Sequence, residues 1–239
     1  MLLVKRRRGL ASCTGGEHTL ATAVSMSRIL NKEDLEPRQE PEEKIVSLLP
    51  PNDMDTDYEQ LHTVIAAQRD CEVLGGDNEV AVLEDAELGQ VCVEVTGTQA
   101  GLHFACDSIL QHLVLHLKNV GKFVRFEIEV IDDSRQYRIF KASNTASMAH
   151  VDQRQGEACL PLQLAEGWNH LSLDLESLTR QAFGTTFLSC VAVRVFANCR
   201  LLRAYFQDRP YADAELPEHL QVLPVTAEMV QQASATQST

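Results

Sequence analysis

GWNHLSLDLESLTRQAFGTTFLSCVAVRVFANCRLLRAYFQDR, from Gly167 to Arg209, is the stretch on which the fold turns. Trp168, the single tryptophan, opens a run in which Leu171, Leu173 and Leu175 alternate with His170, Ser172 and Asp174. A period of two predicts a strand with one buried face. Asp174 is placed to cap a short helix over Leu175 to Phe183 by accepting from the free N–H groups of its first turn. Leu175, Leu178 and Ala182 share one face at helical spacing. Gly184 stops the helix, since glycine takes the left-handed C′ conformation without penalty. A second strand is predicted over Phe187 to Ala197, with Val191, Val193 and Val195 on one face and Ala192, Arg194 and Phe196 on the other. Asn198 and Cys199 read as a turn. Leu201 to Gln207 then reads as a strand returning in an antiparallel hairpin.

Working outward from this stretch, the alternation continues upstream. Val91, Val93 and Val95 define one strand, and Leu113, Leu115 and Leu117 another. The strongest is Lys122 to Ile131, with Val124, Phe126, Ile128 and Val130 against Arg125, Glu127 and Glu129. Asp132-Asp133-Ser134 closes it, and Gln136 to Ala142 is its expected hairpin partner. Ser143 to Gly156 reads as loop, and Ala158 to Leu164 as a further strand. About eight or more short, evenly spaced strands predict an all-β jelly roll or sandwich with one inserted helix. Trp168, Phe126, Val193 and Phe206 are the expected core-defining residues, Trp168 as a tryptophan at the head of a buried strand. Pro210, Pro217 and Pro224 forbid long helices after the last strand.

The expected organisation is an acidic, largely extended region over 1–79, the β domain over 80–225 and a flexible tail over 226–239. Within the first region, Asp57 and Gln60 have capping-box spacing, and Leu61, Val64 and Ile65 share a face, so a helix is expected near 57–71. Ile45, Val46, Leu48 and Leu49 form an apolar island that is either a docking segment or a strap across the domain. The prolines and acids around it suit a segment that orders along a partner.

Charge divides along the same line. The net charge is −13. Between Gly9 and Gly89 there are 18 acidic and 5 basic residues, whereas Gln90 to Val225 carries 15 and 12. This balance disfavours binding to nucleic acid through its phosphates. Seven cysteines at irregular intervals include no zinc knuckle and no C-x-x-C pair, and suggest free thiols in a reducing compartment. No apolar stretch reaches the roughly 20 residues needed to span a bilayer, so no membrane association is expected. Lys5, Arg6, Arg7 and Arg8 form a basic cluster suited to an acidic partner or to nuclear import, or simply to a solvated tail.

Candidate chemistry is sparse. His112 and His116 share a face of one strand but lie roughly 13 Å apart, too far to ligate one metal ion. Asp132 and Asp133 suit a turn, with a calcium loop as the alternative. There is no nucleophile elbow, phosphate loop or His-Glu-x-x-His. No catalytic, metal or cofactor site is therefore expected. Arg194, Arg200, Arg203 and Arg209 cluster in sequence. They read either as a solvated face or as a patch for an acidic partner.

Several pieces in one register resemble the cilia- and flagella-associated protein 20 family. They are GWN (Gly167 to Asn169), LTRQAFGTTF (Leu178 to Phe187), ANCR (Ala197 to Arg200), AYFQDR (Ala204 to Arg209) and AELPEHL with LPV (Ala214 to Val225). Upstream, EVTGT (Glu94 to Thr98), LKNVGKF (Leu117 to Phe123), VIDD (Val130 to Asp133) and FKASN (Phe140 to Asn144) extend the match. The resemblance implies a β-jelly-roll, non-enzymatic structural protein of the axoneme, at the inner junction of doublet microtubules or as a microtubule inner protein. It also implies tubulin, neighbouring axonemal proteins and copies of the chain itself as partners. A centriolar or basal-body home is the alternative within the family, and a carbohydrate- or ligand-binding jelly roll the alternative outside it. The chain departs from the family pattern in three ways. An acidic extension replaces an aromatic and basic opening, the segment from Cys106 to Leu113 is shorter, and Leu202 stands where a basic residue is usual. These departures suit a divergent paralogue.

Overall fold

The computed structural model describes residues 44–50, 71–76 and 79–222. Lys5 to Arg8, residues 57–70 of the expected helix and the tail over 226–239 lie outside the described residues. Among the described residues, thirteen strands form two sheets. Sheet 1 has the order β11 (Gly167–Asp174), β6 (His112–Asn119), β13 (Cys199–Gln207), β4 (Gln90–Val95), β3 (Val80–Asp85), and β1 (Ile45–Leu49) also pairs with β13. Sheet 2 has the order β2 (Cys71–Leu74), β5 (Gly101–Ser108), β12 (Phe187–Phe196), β7 (Arg125–Asp132), β8 (Tyr137–Ser143), β10 (Glu157–Pro161), β9 (His150–Asp152). All pairings are antiparallel except β8 with β10, which is parallel. The result is the expected all-β sandwich of jelly-roll type.

The period-two reading accounts for the core. Phe126, Ile128 and Val130 of β7, Leu113, Leu115 and Leu117 of β6, and Phe206 and Val193 interdigitate between the sheets, each at most 1% exposed. The helix α1 (Leu175–Phe183) forms where expected. Asp174 accepts from the Ser177 backbone N–H at 2.9 Å, and Gly184 ends the helix at φ 72°. Leu175 is buried, and Leu178, Ala182 and Phe183 pack on the same core.

Four expectations change. First, β12 and β13 do not form a hairpin. The chain crosses from sheet 2 to sheet 1 through Ala197-Asn198, whose peptide bond is cis. The Asn198 N–H donates to the Phe123 carbonyl at 2.7 Å, and its side-chain oxygen accepts from the Gly97 N–H at 3.1 Å. β12 is already flanked by β5 and β7, so its successor has no free edge to pair with. Second, Val191 is not an inward residue. A bulge between Cys190 and Ala192 moves the inward series to Cys190, Val193 and Val195. Third, β10 ends at Pro161, and the region read as loop contains the short strand β9. Fourth, the sheets draw in residues upstream of Val80. Cys71, the expected helix end, instead opens β2, and the apolar island at 45–49 is a strap. As β1, that island continues the edge of β13 where β4 stops, with Ile45 opposite Gln207 and Leu49 opposite Ala204.

Candidate functional site: the outer face of sheet 1

The outer face of sheet 1 gathers polar side chains around three buried ones, Asp85, His116 and Arg203. Strand register sets Trp168, Lys118, Arg200 and Glu94 side by side across β11, β6, β13 and β4. The β3–β4 turn folds over this row and inserts Asp85, which is fully buried. Its carboxylate accepts from Lys118 Nζ at 2.9 Å, Arg200 Nη1 at 2.7 Å, Trp168 Nε1 at 3.2 Å and the Glu87 backbone N–H at 3.1 Å. Lys118 also meets Glu87 at 2.8 Å, and Arg200 meets Glu94 at 2.8 Å. Burial alone would raise the Asp85 carboxyl, but its donors outweigh that and hold it well below the usual carboxylate range. The same contacts raise Lys118 and Arg200 above their ordinary values.

Trp168 is therefore not a core residue. It lies half-buried on the outer face, its indole N–H on Asp85 and the Lys118 ammonium 5.6 Å from its ring. The parity of Leu171, Leu173 and Leu175 forces this, because Trp168 falls on the His170 side of the alternation.

The next row holds a second feature. His170 stands opposite His116 on β6, and Nδ1 of His170 is 2.6 Å from Nε2 of His116. The rings are edge to face, with centroids 4.5 Å apart, and Tyr205 lies beyond them. His116 is buried, and burial pushes its pKa down to about 4, with His170 and Arg203 adding to the fall. His170 keeps an edge open to solvent, and the desolvation of its inner side lowers its pKa against a raising contribution from Asp213. Around the pair is a recess of about 300 Å³ lined by Leu88, Trp168, Asn169, Leu202, Asp213 and Val222. Sequence spacing weighed His116 against His112 along one strand. The partner comes instead from β11, across the ladder.

Beyond the histidines the face is covered. Two single 3-10 turns, Asp213–Glu215 and Glu218–Leu220, lay Leu216 and Leu220 on Val114 and Tyr205. Gln90 anchors this segment by donating to the Val222 carbonyl at 2.9 Å, and its oxygen accepts from Arg203 at 3.0 Å.

The four arginines of the expected patch separate. Arg194 lies on the other sheet, bonded to Glu129 at 2.9 Å. Arg200 belongs to the Asp85 network. Arg203 is 2% exposed, because a bulge between Leu201 and Arg203 turns Leu202 and Arg203 together beneath the C-terminal turns. Arg209 alone is well exposed, its side chain 57% accessible. Its guanidinium lies 4.1 Å from the Tyr211 ring and 3.5 Å from Glu215. Proximity in sequence suggested a patch, but the sheet crossing and the bulge disperse it. Among the described residues, no group of three or more His, Cys, Asp or Glu side chains converges as a metal site would.

Comparison with known proteins places this architecture. The model of the CFA20 domain matches residues 69–224. Cilia- and flagella-associated protein 20 of Paramecium tetraurelia is 33% identical over 153 residues, 60% of this chain and 79% of the relative. The protein of the same name from Chlamydomonas reinhardtii is 40% identical over 117 residues, 48% of this chain and 60% of the relative. That from Caenorhabditis elegans is 29% identical over 163 residues. Among solved structures, a family 11 carbohydrate-binding module of a Clostridium thermocellum cellulase aligns with 60% of this chain and 90% of its own at a TM-score of 0.32 and 9% identity, too distant to inform on ligands. With the domain match spanning both sheets and the C-terminal turns, the chain belongs to the CFA20 domain family.

Proposed function

We propose that the chain is a non-enzymatic structural protein of ciliary doublet microtubules, binding tubulin and neighbouring axonemal proteins. The observation that carries this reading is the family match across residues 69–224, supported by relatives named for cilia and flagella. The site chemistry agrees with a scaffold. Asp85, Lys118, Arg200 and Trp168 engage one another, an arrangement that fixes a surface rather than presenting a reactive group.

Within this reading, the arginine proposed to meet a partner is the one least engaged inside the fold. Arg200 and Arg203 are committed to internal contacts, so they hold the face in shape. Arg209, held out by its stacking on Tyr211, is the arginine offered to an acidic surface such as tubulin. Lys5 to Arg8 remain a second proposed contact, and copies of the chain along the filament a further one.

The test is localisation of the tagged full-length chain in a ciliated cell, followed by salt extraction of isolated axonemes. Retention along the axoneme through detergent and moderate salt supports the reading. Signal confined to the base moves it to the centriole, and a non-ciliary signal overturns it. Arg209→Glu should release the chain at lower salt than wild type while leaving its melting temperature unchanged. Equal retention would remove Arg209 from the interface.

A further inference from the structure

Strands β5 and β12 pair regularly except at one point. Cys190 stands opposite Ser108 and Ala192 opposite Ala105, so Cys106 and Asp107 together face the single residue Val191. The bulge brings two cysteine side chains from different strands to the same side of the sheet. Their sulfurs are 3.9 Å apart, and the Cys106 thiol also donates to the Cys190 carbonyl at 3.4 Å. Both pack against the main core. Cys190 is fully buried, whereas Cys106 keeps partial access to solvent. Joining the sulfurs at the roughly 2.05 Å of a disulfide requires them to approach by about 2 Å, within the reach of side-chain rotation on adjacent strands.

We propose that Cys106 and Cys190 are a modification site, a thiol pair that closes to an intramolecular disulfide when the chain meets a peroxide. Access sets the order of events. Burial pushes the Cys190 thiol well above its ordinary pKa, so Cys190 stays protonated and shielded while Cys106 meets the oxidant. The Cys106 thiolate attacks one peroxide oxygen and the O–O bond breaks, giving a sulfenic acid and hydroxide. The Cys190 sulfur then attacks the sulfenic sulfur. Its S–H proton leaves with the displaced hydroxyl as water, and the S–S bond forms. In sum two thiols are oxidised, and hydrogen peroxide is reduced to two waters. The bond crosses the ladder where its hydrogen bonding is interrupted, and it protects Cys106 from further oxidation.

The experiment uses the full-length reduced chain, freed of reductant and treated with hydrogen peroxide. Free thiols are counted, and disulfides are mapped by mass spectrometry without reduction. The expected result is loss of two of the seven thiols, with a peptide joining Cys106 to Cys190 that dithiothreitol cleaves. In Cys106→Ser that peptide is absent and Cys190 remains a thiol. Recovery of Cys106 as sulfinic or sulfonic acid beside a free Cys190 overturns the proposal, as does a cross-link to another cysteine or between two chains. The wild-type map decides the question even where a Cys190 variant fails to fold.

Discussion

The outward faces of the two sheets carry similar charged rows and differ in what lies over them. On sheet 2, one row of side chains crosses five strands as Glu72, His103, Arg194, Glu127 and Lys141. These residues keep partial access to solvent, and Arg194 and its partner Glu129 retain 26% and 21% exposure, with nothing buried above them to desolvate among the described residues. On sheet 1 the corresponding row is roofed by the β3–β4 turn, and its central carboxylate is 0% exposed. Water screens the first row, so each of its pairs contributes little. The second row is itself partly exposed, with Arg200 at 28% and Glu94 at 29%, but Asp85 above it has lost its water and depends on Lys118, Arg200 and Trp168. Similar residue types on similar strands therefore carry different weight, and the roof makes the difference.

The strongest way to break this contrast is Asp85→Ala. It leaves Lys118 and Arg200 facing each other without their shared carboxylate and strands the Trp168 N–H. A loss of about 3–5 kcal/mol is expected in equilibrium denaturation. A loss below about 1 kcal/mol would mean that water fills the gap and the roof is leaky.

Leu220→Ala strips the second cover, over Val114 and Tyr205. About 3 kcal/mol is expected, within the range for a buried leucine. Loss of tyrosine fluorescence anisotropy on the folded variant would locate the effect at Tyr205.

Acid sharpens the comparison. His116 titrates near pH 4 when folded, against an ordinary value of 6.5, so below pH 6.5 the unfolded chain binds a proton that the folded chain refuses. Stability is then full above pH 6.5 and falls by about 1.4 kcal/mol per pH unit as pH drops through that window toward 4. His170 and His219, also lowered by burial, act in the same direction. Melting curves at stepped pH should show the slope, and His116→Gln should flatten it. An unchanged slope in that variant would assign the effect elsewhere.

The smallest effect is expected on sheet 2. Arg194→Ala should cost less than about 1 kcal/mol by denaturant titration, and added salt should shrink the difference further. A cost comparable to that of Asp85→Ala would erase the distinction between the faces.

Much of this was readable from residue order. Alternation located β4, β6, β7 and β11, and Asp174 with Gly184 bounded α1, because both signals are local. What escaped depends on neighbours distant in sequence. The bulges beside Val191 and Leu202 shift facing by one residue, and period two carries no sign of them. The transfer from β12 to β13 depends on β5 and β7 already occupying the edges of β12. The His116–His170 pair needs the register of β6 against β11. Trp168 differs, since its parity with His170 already pointed outward. The general preference for burying tryptophan pulled the reading the other way.

The division of one edge of β13 between β4 and β1 bears on how the polypeptide matures. Leu201 is held by Val93, whereas Ala204 to Gln207 wait for Leu49 to Ile45. Among the described residues, the first and last strands in chain order thus complete the same sheet, and this long-range closure must follow synthesis of nearly the whole domain. A fragment started at residue 69, where the domain match begins, would emerge with half of that edge unsatisfied. It would present a ready template for association with other chains.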